Sequence, residues 1–226
     1  MTSLQERYKT ILSKISDERS QSSPAVTLIA VSKFQPVEAI QTLYELGQRD
    51  FGENYVQELL EKDRNLRERG IQDIRWHFIG HLQRNKVKAL LPVVHAIHTV
   101  DSIELAQELS KRSKALKISQ PVPVFLEVNL HSETSKAGFE PTEIPTRSQT
   151  ISSLENLEVL GLMCIPDPTF DPRTSFAALR NLELSCHPFT RGALSMGMSN
   201  DYPIALQEGA THIRVGTSLF GERQRS

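Results

Sequence analysis

Residues 26–36 read VTLIAVSKFQP. A nearly continuous, β-branched apolar run gives way to Ser32 and Lys33, and Pro36 stands where a helix can open. A strand with one wet face alternates apolar and polar residues; an unbroken run marks a parallel strand covered on both faces. The turn that follows lacks the GxGxxG pattern of an open, doubly wound dinucleotide-binding sheet. The rhythm recurs at 50–52 (a weak run), 74–79, 94–100, 122–130, 157–165, 193–196 and 212–215. Between these runs, helices are expected from Pro36, with Val37, Ile40, Leu43 and Tyr44 on one face and Gly47 as the stop, and from near Asn54, Leu82, Ser102, Pro141, Arg173 and Asn200. Eight alternations predict an α/β fold closed into a (β/α)8 TIM barrel, with an open sheet as the alternative.

Upstream, Ser3 and Glu6 have capping-box spacing, and Leu4, Tyr8, Ile11, Leu12 and Ile15 fall on one helical face, predicting an extra N-terminal helix followed by a loop over 16–24. The polar stretch Lys136–Leu154 is expected to hold a loop before its helix. With 226 residues, no internal repeat and no linker, the expectation is one domain over 1–226.

Charge and cysteine content narrow the function classes. Lys and Arg number 26 against 27 Asp and Glu, and short runs such as Lys111–Lys114 make no basic patch, so nucleic acid and anionic membranes are not expected partners. The N-terminus MTSLQERYKT carries charges where a secretory leader needs an apolar stretch, and no apolar run reaches the ~18 residues of a membrane span. A cytoplasmic monomer with Cys164 and Cys186 as free thiols is expected. His77, His81, His95 and His98 lie on two strand segments without a carboxylate at ligand spacing, so no metal site is expected.

Barrel active sites form at the carboxyl ends of the strands, with phosphates often bound after strands seven and eight. On that frame Lys33, Glu53, Asn54, His81, Asn129, Met163, the loop Ser195-Met196-Gly197-Met198-Ser199, and Arg214, Gly216 and Thr217 all face one mouth. Lys33 either leaves the barrel for solvent or serves as a Schiff-base lysine, its amine made neutral by desolvation or by a neighbouring cation such as Arg214. Ser199 with its serine-glycine loop, and Gly216-Thr217, read either as ordinary connections or as two halves of a phosphate cup, with Asn200-Asp201 capping the next helix. Arg214 is a cation inside a strand. It is salt-bridged, leaves for solvent, or donates to the pyridine nitrogen of pyridoxal 5′-phosphate (PLP), where a permanent cation opposes protonation. Trp76 and Cys164 read as packing residues.

Nine segments carry a resemblance: AVSKFQP, DFGENYVQE, WHFIGHLQRNK, HTVDS, FLEVNL, KAGF, GLMCIP, LSMGMSNDYPIAL and HIRVGTSLFGER, spanning Ala30 to Arg223. In this order they resemble the pyridoxal phosphate homeostasis proteins, cyanobacterial members most closely, whose fold is similar to the fold-type III barrel of alanine racemases. The resemblance implies PLP as cofactor, with Lys33 as the aldimine lysine. It implies a phosphate site at Ser199, Gly216 and Thr217, lined by Ser195, Gly197 and Met198. Arg214 would face the pyridine nitrogen, and Asn54, His81 and Met163 the ring. It also implies a role in vitamin B6 and amino-acid homeostasis without an established reaction. The chain ends soon after its eighth strand, where racemases append a second domain that closes the site, and this speaks against a racemase. The expected function is a non-catalytic PLP carrier or buffer, with apo-PLP enzymes or amino acids as partners. A PLP-dependent racemase or lyase, and a Schiff-base aldolase acting on a sugar phosphate, are the alternatives.

Overall fold

The computed structural model describes residues 2–18, 25–131, 133 and 137–221. Most of the loop expected over 16–24, Lys136 and the GER end of the last quoted segment lie in part outside the described residues. Among the described residues, eight parallel strands close into a barrel in chain order, β1 (Thr27–Val31), β2 (Asp50–Glu53), β3 (Arg75–Phe78), β4 (Val94–Val100), β5 (Val122–Glu127), β6 (Leu157–Met163), β7 (Ala193–Ser195) and β8 (His212–Val215), with β8 pairing back on β1. The open sheet is thereby excluded.

Helices α1 (Leu4–Asp17), α2 (Val37–Glu45), α3 (Val56–Glu68), α4 (Val87–Leu90), α5 (Ile103–Ala115), α6 (Ile144–Ser152), α7 (Pro172–Leu184), α8 (Tyr202–Gln207) and α9 (Thr217–Phe220) surround it. Outward strand residues such as Phe51, Trp76, Phe78, Val124 and Ile213 pack with Leu43, Leu59, Leu109 and Phe176 of the helices into one apolar layer. Trp76 also donates to Asp63 at 3.0 Å, so it belongs to this layer.

Each expected helix exists, but the one near Leu82 shrinks to a 3-10 turn, Arg84–Lys86, and the short α4. In α1 the capping box is made on both sides, Glu6 N–H to Ser3 Oγ at 3.2 Å and Ser3 N–H to Glu6 Oε2 at 2.7 Å. Tyr8, Ile11 and Ile15 are buried, while Leu12, assigned to the same face, turns to solvent. The run expected over 122–130 ends as a strand at Glu127; beyond it Val128 N–H still bonds the Met163 carbonyl of β6 at 2.8 Å, while Val128 bridges the returning segment at Phe139 and Phe139 N–H takes the Glu127 carbonyl at 2.8 Å.

Barrel interiors are ordinarily filled by branched apolar side chains. Here the axis is largely polar. Asp50, His77, His98, Ser195 and Arg214 are buried and hydrogen-bonded to one another, with His212 and Phe125 beside them. Gly52 makes room at this axis, where a Cβ would come within 2.8 Å of Ile29.

Candidate functional site

The mouth is built where strands end in tight turns. After β1, Phe34 takes a left-handed φ of 62° and Gln35 N–H bonds the Ser32 carbonyl at 2.9 Å, folding residues 32–35 sharply with the half-buried Lys33 at their centre. A buried lysine that sequence reasoning missed clamps this turn from below. Lys62 of α3 donates to the Ser32 carbonyl at 2.7 Å, Glu53 Oε1 at 2.8 Å and Glu58 Oε1 at 2.7 Å. Glu58 in turn accepts the Phe34 N–H at 2.5 Å, and Glu53 accepts the Ser32 hydroxyl at 2.7 Å. Burial raises the Glu53 carboxyl above its ordinary value, although Lys62 pulls it down. Glu53 thus holds the turn through Oε1, while its Oε2 is buried with no hydrogen-bond partner. Asn129 likewise fixes its loop, donating to the Glu133 carbonyl at 2.9 Å and accepting the Glu133 N–H at 3.1 Å.

Across the rim, the loops after β7 and β8 interlock. Ser199 Oγ accepts the N–H groups of Gly216 and Ser218, both at 3.2 Å, and Ser218 Oγ returns a bond to the Ser199 carbonyl at 3.1 Å. Gly197 holds a φ of +90°, and a Cβ there would sit 2.5 Å from Ala205 of α8, so only glycine lets the loop lie against that helix. Asp201 differs from expectation: its carboxylate makes no cap on α8 and instead accepts the Met198 N–H at 2.6 Å, bending the loop back on itself. Two half-loops thus bring a hydroxyl and two peptide N–H groups to one point, with Thr217 exposed beside them.

The two rims adjoin, because β1 and β8 are neighbours: Ala30 pairs with Val215, and a Cβ on Gly216 would meet Val31 at 3.5 Å. Lys33 lies two residues beyond Val31.

Between them, the floor holds the other expected residues. Met163 is buried at the end of β6. Asn54 is half-buried, and its Oδ1 is buried with no hydrogen-bond partner. His81 is more peripheral, its side chain 67% exposed and paired with Asp101 at 3.2 Å. Arg214 is 4% exposed and donates to Ser195 Oγ at 2.7 Å and to the Cys164 carbonyl at 2.8 Å. Ser195, expected to line the phosphate loop, instead turns its hydroxyl inward to Arg214 and to His98, 2.7 Å away. Burial pushes the Cys164 thiol up to about 12, so it is inert packing.

Glu127, at the end of β5, was not singled out by its sequence. Burial, with Asp101 nearby, raises its carboxyl to about 7 against the pull of Arg214 and His81. The histidines also find carboxylates that spacing did not show, Asp50 for His77 and Asp101 for His81. No grouping of three or more His, Cys, Asp or Glu among the described residues is disposed to hold a metal ion.

A parallel eight-stranded barrel with a lysine after its first strand and an interlocked pair of loops after its last two is a (β/α)8 barrel of fold type III. The family model for the alanine racemase N-terminal domain matches residues 8–224. The pyridoxal phosphate homeostasis protein of Pseudomonas aeruginosa is 38% identical over 99% of this chain and 97% of its own length, and that of Escherichia coli K12 is 36% identical over 91% and 89%. The structure of Synechococcus elongatus PipY with PLP bound superposes with a TM-score of 0.84 at 36% identity, covering 97% of this chain and 100% of PipY. Clostridium difficile alanine racemase shares the fold alone, at 15% identity and a TM-score of 0.70. The chain belongs to the pyridoxal phosphate homeostasis protein family.

Proposed function

We propose that this chain binds PLP at the barrel mouth through Lys33 and serves vitamin B6 and amino-acid homeostasis as a non-catalytic carrier or buffer. The observation that carries the reading is the adjacency of the Lys33 turn to the Ser199–Gly216 cradle on neighbouring strands β1 and β8. The site suits the group. Ser199 Oγ accepts two peptide N–H groups, which leaves its own hydroxyl proton to donate to an anion's oxygen, and Asn54 Oδ1 is a buried acceptor with nothing to accept.

PLP supplies an aldehyde that condenses with primary amines, and a heteroaromatic ring. Ser199, Gly216 and Thr217 hold the phosphate, with Gly197 and Met198 shaping the loop. Arg214 presents a permanent cation to the ring nitrogen, and Asn54, Met163 and, from the rim, His81 flank the ring. The clamp of Lys62 and Glu58 on residues 32–35 fixes the backbone from which the Lys33 side chain springs. We assign the protein to the cytoplasm as a monomeric single domain over 1–226; no described helix is long and apolar enough to cross a membrane. Amino acids and apo-PLP enzymes are the proposed partners.

Loaded protein mixed with an apo-transaminase tests the carrier role. Activity recovered faster than free PLP release supports direct donation, equal rates leave buffering, and failure of the protein to retain PLP refutes both. A second reading, a PLP-dependent racemase or lyase, is favoured by Glu127: a half-buried carboxyl near 7 at a strand end is suited to proton transfer. Exchange of the amino-acid α-proton in deuterated water above that of free PLP would establish it.

A further inference from the structure

A buried hydrogen-bonded chain runs through the barrel beneath the mouth. Arg214 NH1 meets Ser195 Oγ at 2.7 Å, and Ser195 Oγ meets His98 Nδ1 at 2.7 Å. His98 Nε2 meets His77 Nδ1 at 2.9 Å, and His77 Nε2 meets Asp50 Oδ1 at 3.0 Å. Arg75 closes the far end with two bonds to Asp50, at 2.8 and 2.5 Å. Every side chain from Arg214 to His77 is at most 4% exposed.

Its direction is fixed by what each group can do. A guanidinium only donates, so the Ser195 oxygen accepts from Arg214 and its hydroxyl proton goes to His98 Nδ1. His98 then donates from Nε2 to His77 Nδ1, and His77 from Nε2 to the Asp50 carboxylate, which only accepts. His98 is neutral in this arrangement. Burial, and then the neighbours His77, His212, Arg214 and His95, hold His98 well below its ordinary value. Burial would raise Asp50, but bonds from Arg75 and His77 keep its carboxyl well below the usual carboxylate range.

A buried cation is costly unless its charge is answered. Among the described residues no ion pair to a carboxylate involves Arg214; Glu127 and Asp201 act on it at longer range, while the chain delivers a polarised oxygen at hydrogen-bond distance. Resting on the function proposed above, we infer that Ser195, His98 and the His77–Asp50 pair are positioning residues for Arg214, and that they thereby keep the ring nitrogen of PLP unprotonated.

The test is 15N NMR of protein loaded with PLP labelled at the ring nitrogen, followed across pH 6–9. Variants are Ser195→Ala, which cuts the chain beside Arg214, Ser195→Thr, which keeps the hydroxyl, and Asp50→Asn, which removes the anion at the far end. The wild type and Ser195→Thr are expected to hold the nitrogen unprotonated. Ser195→Ala and Asp50→Asn are expected to raise the protonated fraction at neutral pH at least ten-fold, with Lys33 still carrying PLP. A nitrogen signal unchanged in whichever of the two variants folds and loads overturns the inference. Wild type that takes up no labelled PLP refutes the underlying function instead, before any variant is compared.

Discussion

Arg7 Nε donates to the Leu219 carbonyl at 2.7 Å, and Arg7 NH2 to the Phe220 carbonyl at 2.9 Å, tying the first helix to the last across the ends of the chain. The last four-residue helix cannot stabilise itself at that length, so its carbonyls depend on such a partner. Because Thr217 opens this helix and Gly216 precedes it, the N-terminal helix buttresses the proposed phosphate cradle from behind. Arg7→Met keeps the aliphatic stem but removes both bonds. It is expected to lower stability by about 2 kcal/mol, a typical loss for bonds from a charged group, and to speed PLP loss. Thermal unfolding and release kinetics check this.

Ser199 and Thr217 supply hydroxyls to the proposed cradle from two loops. Ser199→Ala or Thr217→Val alone is expected to weaken PLP retention about ten-fold, the equivalent of roughly 1.4 kcal/mol, and the double variant to weaken it further. Equilibrium titration with Lys33 replaced by Ala isolates this non-covalent part. Unchanged affinity in the double variant contradicts the cradle.

Gly161 on β6 packs so closely on β7 that a Cβ would lie 1.8 Å from the Ala193 carbonyl oxygen. Backbone cannot yield as a flexible side chain does, so Gly161→Ala is expected to cost roughly 3 kcal/mol or more, or to prevent folding. Denaturant unfolding decides it.

Stability should depend on pH through groups that act in opposite senses. Burial lowers His212 to about 3 and lowers His95 and His98, so the folded state binds fewer protons than the unfolded chain below about 6.5. Stability from these groups falls as pH drops from 6.5 towards 3. Glu127 is raised to about 7, so the folded state holds its proton longer, and stability falls as pH rises from about 4.5 to 7, by at most on the order of 3 kcal/mol. Glu127→Gln is expected to flatten that second limb and leave the acid limb intact. Urea unfolding at a series of pH values separates the two.

The fold was legible because strands covered on both faces lose alternation: the runs at 94–100 and 212–215 match β4 and β8 end to end. Strand ends were less so. Nothing local shows that β5 stops at Glu127 and that Val128 then bridges Phe139 of the returning segment. Lys33, Ser199 and Gly216 could be placed at the mouth because each lies in the connection that follows a strand, β1, β7 and β8. The Lys62 clamp was not readable, since it is made by a helix folding back over a turn 30 residues away. The axial chain joins residues from five strands and exists only once the barrel closes. One signal was present: Arg214 and His212 stand two apart in an apolar run, so they share a face, and that face is the interior.

In the proposed site the Lys33 amine and the cradle of β7 and β8 hold one PLP molecule between them. Borohydride reduction of the loaded protein, followed by peptide mapping, tests it most directly. A single pyridoxyl adduct on Lys33 is the expected result. An adduct on Lys62 or any other lysine, with Lys33 unmodified, would contradict it.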